Sequence, residues 1–302
     1  MEPSSTQPDA SKKATKKTSP YDDTFEQNLI DHSVYPYGYE YLDDREPPRP
    51  DNWEETNRAL AQPRRSLSPS RFSEGAFRAF QRADLRTYNE DTVMSDVLPI
   101  IAGNADIPCR KNVQYTNLKA LTDGTITTPQ PDFYDGARPE RLDRRVRDEL
   151  HPYIVPSNNH SHPALPNFFV EVKGPSGNPV VAKRQACYDG AVGARGILHA
   201  HSYASGGAME YDGNAYSITS TYYDGTLRIY TTHPTQPAEP GGNPLYHMTQ
   251  LDQYFMTGNA NSFREGARAF RNARDWAKQQ RDHVIALANQ KAKQLSHRCV
   301  WE

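Results

Sequence analysis

Asn167-Phe168-Phe169-Val170-Glu171-Val172-Lys173-Gly174 is the stretch on which the reading of this chain turns. It is a short apolar run with an acid and a base two residues apart, and Pro131-Asp132 lies upstream of it. In a strand, residues two apart point to the same face. Phe168, Val170 and Val172 then face one way, and Phe169, Glu171 and Lys173 the other. An acid and a base on a strand built for burial are costly unless they pair, hold a metal or take part in chemistry.

Working outward, the chain alternates helical and extended patterns. Phe25 to Ile30 reads as a short helix. Phe72, Phe77, Phe80 and Leu85 mark a helix with one apolar face. A second helix is expected from Thr87, where Thr87-Tyr88-Asn89-Glu90 has the form of a capping box and Pro99 ends the helix. Val113 to Thr116 and Pro131 to Tyr134 are expected strands, and Arg138 to Leu150 a charged helical stretch. Val181 to Gly196 reads as a helix with small residues on one side, followed by a strand over Ile197 to Tyr203. Ala215 to Tyr222 and Thr226 to Thr232 alternate around Asp224-Gly225, a strong hairpin signal. Ser262 to about Gln294 is a long helix. This order predicts one α/β domain over residues 51–295. Residues 1–50 are expected as a disordered or extended arm and 296–302 as a tail.

Phosphodiester cleavage needs charge neutralised on the phosphate, a water deprotonated near neutral pH, and fixed cations for the developing charge. Asp132 and Glu171 are the candidate carboxylates for such chemistry, because Mg²⁺ prefers oxygen ligands and retains waters. Lys173, on the face of Glu171, is placed to hold the attacking water or its hydroxide. The Pro-Asp … Glu-x-Lys pattern resembles the PD-(D/E)XK nuclease superfamily. That resemblance implies a restriction-endonuclease-like core, a mixed sheet flanked by helices, and a metal-dependent nuclease acting on DNA. It implies Mg²⁺ or Mn²⁺ held by Asp132, Glu171 and the backbone carbonyl of Val172, with Lys173 assisting the water. Arg184-Gln185-Ala186-Cys187-Tyr188 resembles the Gln-bearing helix of the exonuclease-like branch. The usual Gln-x-x-x-Tyr spacing is Gln-x-x-Tyr here, which puts the role of Tyr188 in doubt. Glu90 matches an acid that many members carry on the preceding helix, and it also fits the capping box. The wider chain looks like a family of uncharacterised fungal proteins. The competing readings are a buried Glu171–Lys173 ion pair and a catalytically inactive module that binds nucleic acid or protein.

Other features are weighed against plainer accounts. Arg264, Arg268, Arg271 and Arg274 recur at helical spacing with Lys278 and Arg281, as a phosphate-tracking stripe or a solvated face. The run Arg138, Arg141, Arg144, Arg145 and Arg147 is largely neutralised by Glu140, Asp143, Asp148 and Glu149. Tyr35, Tyr37, Tyr39 and Tyr41 suit an extended arm over the surface, or base stacking. Pro63-Arg64-Arg65-Ser66-Leu67-Ser68-Pro69-Ser70-Arg71-Phe72 reads as an ordered loop or as a basic phosphorylation site. Lys12, Lys13, Lys16 and Lys17 make a basic tail, soluble or used for nuclear import or DNA contact. His199 and His201, two apart on an expected strand, and His160 and His162 in a loop, read as packing or exposed residues for want of a third ligand.

Composition bounds the rest. Hydrophobic residues make up 36% and the formal net charge is −2, so any nucleic-acid contact must come from local basic patches. Mean hydropathy is −0.86, and Met1 to Pro20 has almost no large apolar residue, so that stretch is expected to be disordered. The three cysteines, Cys109, Cys187 and Cys299, are far apart, which fits a reducing, intracellular compartment and no disulfide framework. No apolar run reaches membrane-spanning length, and the start lacks the apolar core of a secretory signal. Gly174-Pro175-Ser176-Gly177 lacks the Lys-Ser/Thr of a P-loop, and no Gly-x-Ser-x-Gly elbow occurs.

Overall fold

The computed structural model describes residues 17–298, with the side chains of residues 297 and 298 set aside. The expected disorder of the first residues, the lysines at 12, 13 and 16, and Cys299 lie outside that range. In chain order the elements are α1 (Thr24–Asp31), β1 (Val34–Tyr35), α2 (Trp53–Leu60), α3 (Glu74–Leu85), α4 (Glu90–Thr92) and α5 (Leu98–Ala102). Then come β2 (Cys109–Lys111), β3 (Phe133–Ala137), α6 (Arg144–Ile154), β4 (Ala164–Val172) and α7 (Pro179–Ser205). The last are β5 (Ser217–Tyr223), β6 (Thr226–Thr235), β7 (Leu245–Phe255) and α8 (Ala260–Arg298).

The architecture is α/β: a seven-stranded mixed sheet in the order β1-β7-β6-β5-β4-β3-β2, flanked by helices. β2, β3 and β4 form an antiparallel meander. The chain then crosses through α7 and returns as β5, parallel to β4. β5, β6 and β7 are antiparallel, and β1 adds in parallel to β7. Central β4 is buried along its whole length. Its two faces differ, as alternation requires. Phe168, Val170 and Val172 join an apolar cluster with Phe80, Phe263 and Phe270, whereas Phe169 joins Phe25, Ala186 and Tyr188 on the α7 side.

Local sequence explains the ends of these elements. Ser73 caps α3 by accepting from the Ala76 amide at 3.3 Å. Asn178 caps α7 by accepting from the Val180 amide at 2.9 Å, with Pro179 opening the helix. Asp224 and Gly225 adopt φ of 47° and 68°, the left-handed pair that a two-residue hairpin turn needs. In α7, Gly190 and Gly193 lie so close to the sheet that a Cβ would sit 2.4 Å from Thr232 Oγ1 and 2.6 Å from Ser217 Oγ respectively.

Several expectations are corrected. The stretch from Ile197 to Tyr203 is not a strand but the last turns of α7, and His199 stacks on Tyr153 with ring centroids 3.5 Å apart. Val113 to Thr116 is irregular, and the edge strand is Cys109–Lys111 instead. Pro99 does not stop its helix. A π-turn at Val93–Val97 precedes it, and Pro99 sits in the first turn of α5, where its missing N–H costs nothing. The boundary at residue 50 also moves. Phe25, Leu29 and Val34 are fully buried, and β1 is part of the sheet, so α1 and β1 belong to the domain. At the other end α8 continues to Arg298.

α8 is fastened to the sheet by charge. Arg274 grips Asp135 of β3 with two hydrogen bonds of 2.8 Å, and the two residues are 5% and 0% exposed. Arg281 donates to Asn167, which itself donates to the carbonyls of Tyr216 and Ala277. Breaking a buried pair leaves one charge without compensation. Arg274→Ala is therefore expected to lower stability by about 3–5 kcal/mol, read from urea unfolding curves.

Candidate functional site

The site lies where β3 begins and β4 ends. Phe133 is paired with Val170 in antiparallel register, so Asp132 and Glu171 fall opposite each other with their side chains on one face. Asp132 Oδ2 accepts the Val172 amide at 2.8 Å, which fixes it against β4. Lys173 continues the ladder by donating its amide to Tyr222 O at 2.9 Å, and its side chain returns to the face of Glu171. The turn after it folds back tightly. A Cβ on Gly177 would lie 2.7 Å from Lys173 Cβ, so this turn buries the lysine stem, leaving Lys173 2% exposed.

Glu90 closes the site from the other side. Lys173 Nζ is 2.9 Å from Glu90 Oε1. A Cβ on Gly174 would meet Asn89 backbone atoms at 2.8 Å, so the start of α4 lies directly against the turn. The capping box is not the one expected at Thr87. Asn89 Oδ1 accepts the Thr92 amide at 2.9 Å and Thr92 Oγ1 accepts the Asn89 amide at 3.2 Å. Glu90 is thereby released from capping and pairs with Lys173.

The following helix brings Asp189 to the site and takes Tyr188 away from it. Gln185 faces inward with a buried Oε1 that has no hydrogen-bond partner. Asp189, one turn on, is 2% exposed and interacts with the Glu171 carboxyl. Tyr188 is not part of this set: its ring packs edge-on against Phe25 at 6.0 Å within the apolar cluster. Tyr115, fully buried, places its unpartnered hydroxyl within electrostatic reach of Asp189 and Glu171. Sequence reasoning missed Asp189 and Tyr115. An acid four residues after Gln185, on a helix face otherwise made of Ala and Gly, was the available signal for Asp189. No local pattern marks Tyr115.

Three carboxyls, Asp132, Glu171 and Glu90, thus act on the Lys173 ammonium, and Asp189 lies against Glu171. Both Glu171 oxygens are buried without a hydrogen-bond donor. Burial, with Asp132 and Asp189 beside it, holds the Glu171 carboxyl well above the ordinary carboxylate range. Burial also pushes Asp189 up to about 7. Asp132 is raised too, chiefly by burial, with the Val172 amide and Lys173 pulling the other way. Burial would lower Lys173, but Asp132, Glu90 and Glu171 outweigh it and raise its pKa. Such a set is relieved by protons or by a cation. Asp132 and Glu171 are the pair able to hold a hydrated divalent ion. Among the described residues no group of three or more His, Cys, Asp or Glu side chains is arranged to ligate one ion.

The arginines of α8 are placed differently from a solvent-facing stripe. Arg274 is buried on Asp135, and Arg271 donates to the carbonyls of Ile101 and Ile100 at 2.8 and 2.9 Å. Arg264 donates to Phe72 O at 2.9 Å and to Asn261 Oδ1 at 2.7 Å. None of Arg264, Arg268, Arg271 and Arg274 is fully exposed. The spacing of Arg264, Arg271 and Arg274 reflects anchoring of α8 to the loops and strand beneath it, whereas Arg268 Nε is buried without a hydrogen-bond partner. Tyr35 pairs into the sheet and stacks on His247, which matches an arm laid along the domain.

The chain belongs to the family described as Domain of unknown function (DUF7924), whose profile matches residues 76–288 and so covers the site from Glu90 to Asp189. No curated protein and no solved structure matches the chain.

The buried carboxyl pair has a consequence for stability. Asp189 titrates near 7 in the fold, against about 3.9 in an unfolded chain. Its contribution is present below the unfolded value and is lost as pH rises through about 7. In EDTA, wild type should lose stability between pH 5 and pH 8, and Asp189→Asn should remove up to about 2.5 kcal/mol of that loss. Urea melts at both pH values check this, and parallel losses in the two proteins would refute it.

Proposed function

We propose that this member of the DUF7924 family is a metal-dependent nuclease of PD-(D/E)XK type that hydrolyses phosphodiester bonds in DNA. One observation carries the reading. Asp132, Glu171 and Lys173 meet at the end of β4, and both Glu171 oxygens are buried without a protein donor. The order of parts supports the fold assignment. An acid-bearing helix comes first, then paired strands with the Asp and the Glu-x-Lys, then a helix bearing Gln185. Uncharacterised fungal proteins are the relatives this reading expects.

The residues suit Mg²⁺ or Mn²⁺, because oxygen ligands from Asp132, Glu171 and the Val172 carbonyl leave room for waters. When bound, such an ion supplies charge neutralisation at the phosphate and a more acidic water. The chain's own groups do the rest. Glu90 fixes the Lys173 ammonium at 2.9 Å, so the lysine is held in one orientation. Its raised pKa keeps it charged near neutral pH. Lys173 therefore acts as a cation that holds the nucleophilic oxygen and steadies developing negative charge, not as a base. Asp189 holds Glu171 in place from the helix side.

A second reading is an inactive nuclease-fold module that binds nucleic acid or protein. It is favoured by the Lys173–Glu90 pair, which satisfies the lysine without any ligand, and by Arg264, Arg271 and Arg274 of α8, which are spent on the fold.

Purified protein incubated with linear, circular and single-stranded DNA and with RNA, in Mg²⁺, Mn²⁺ or EDTA, separates the two. Metal-dependent cleavage of DNA is expected. Lys173→Ala should reduce it roughly 10²–10³-fold with little change in DNA affinity. Glu171→Gln should abolish the heat of Mn²⁺ binding in calorimetry. Absence of cleavage on every substrate sinks the nuclease reading.

A further inference from the structure

We infer that Ser68 is a phosphorylation site whose phosphate folds back into an arginine-lined cavity of the same chain. A cavity of about 580 Å³ lies between the loop preceding α3 and the first turns of α8. Arg64, Arg65, Arg264 and Arg268 line it, with Ser68 on its wall and Glu265 as its acid. Two of these arginines are already engaged. Arg64 bonds Asn272 at 2.9 Å and pairs with Asp275, and Arg264 holds Phe72 O and Asn261. The other two are not neutralised. Among the described residues neither Arg65 nor Arg268 pairs with a carboxylate, and Arg268 Nε is buried without a hydrogen-bond partner. A cavity with several guanidiniums and one carboxylate suits a compact dianion with several acceptor oxygens.

Ser68 supplies the attachment point. Its hydroxyl donates only to Arg65 O, at 3.0 Å, beyond its contact with Ser70 Oγ at 3.1 Å. It is half-buried, and Arg65, Ser66, Pro69, Ser70 and Arg71 around it are exposed, so the loop is presented to a modifying enzyme. Arg64 and Arg65 just upstream give such an enzyme a basic determinant to read. A protein kinase would transfer the γ-phosphoryl of a nucleoside triphosphate. The Ser68 Oγ–P bond forms as the bond from phosphorus to the β,γ-bridging oxygen breaks. The nucleoside diphosphate leaves, and the hydroxyl proton passes to the kinase's base. The phosphate then bridges Arg65 in the loop to Arg268 on α8, tying two segments now joined through Arg64 and Arg264. This inference does not depend on the nuclease reading, since the loop and cavity contain none of the residues of that site.

The test uses the full chain with phosphoserine installed co-translationally at position 68. Phosphorus NMR titration should give a second phosphate pKa below the value near 6 that the same protein shows when unfolded in urea. Arg268→Gln in the phosphorylated chain should return it toward that value. The phosphate should also raise Tm by roughly 2–6 °C, less at high salt. Identical titration in native and unfolded chains, an unchanged or lower Tm, or failure of the phosphorylated chain to fold would overturn the inference. So would Arg268-dependent protection of the unmodified chain by inorganic phosphate or by a short DNA, because the cavity would then serve an anion from outside.

Discussion

A carboxylate that is 1% exposed sets the terms for everything around it, and Glu171 is that group. Water cannot reach it, so its charge must be met by neighbours, by a proton or by a cation. The structure places Asp132 across the strand pair, Asp189 on the helix above, and Lys173 two residues along the same strand. Only one of these is a cation. The excess of acid over base is held where β3 begins and β4 ends, between the sheet and α7. The glycine face of α7 is part of this. Gly190 and Gly193 let the helix that carries Asp189 lie directly against Thr232 and Ser217.

The opposite face of the sheet meets burial of charge in another way. There Asp135 and Arg274 are matched in number and geometry, two hydrogen bonds of equal length in an apolar surround. One strand over, Arg281 is held by the neutral Asn167 side chain instead of by a carboxylate. The two faces of β3 and β4 therefore contrast. One holds a single acid, Asp135, neutralised by Arg274 on α8. The other holds acids that the protein leaves short of cations. That asymmetry is why the α7 face, not the α8 face, is the place to look for chemistry.

Much of this was legible in the sequence, and the failures have physical causes. The β4 motif, the hairpin at Asp224-Gly225, the helix after Gly177 and the long last helix could be read from period and punctuation. β7 could not, because His247, Gln250 and Gln253 interrupt the alternation of Tyr246, Met248 and Leu251. Ile197 to Tyr203 is expected as a strand and is instead the end of α7, so His199 and His201 lie on a helix. The stripe of α8 shows the limit most clearly. Periodicity told that the arginines share a face, but whether that face meets solvent or Asp135 is a tertiary fact. The same holds for Tyr115, which joins the site from a loop, and for Glu90, whose fate hung on which neighbour capped α4.

The strand order also bears on how the molecule meets other copies of itself. The longest strands, β6 and β7, offer the kind of backbone that templates pairing between chains. Yet the outermost strands are β1, of two residues, and β2, of three. β2 ends in exposed Arg110 and Lys111, so a second β2 brought alongside would face like charge. On the other side β1 covers Tyr246 and His247, and beyond it β7 carries exposed Asp252 opposite a register shift at Ile229/Tyr230. Short borders, charge and a bulge at the rim are the features that keep an open sheet from growing sideways. The small segment around Val34 thus does more than extend the sheet: it caps the start of β7, and charge and a register shift break up the rest of that edge.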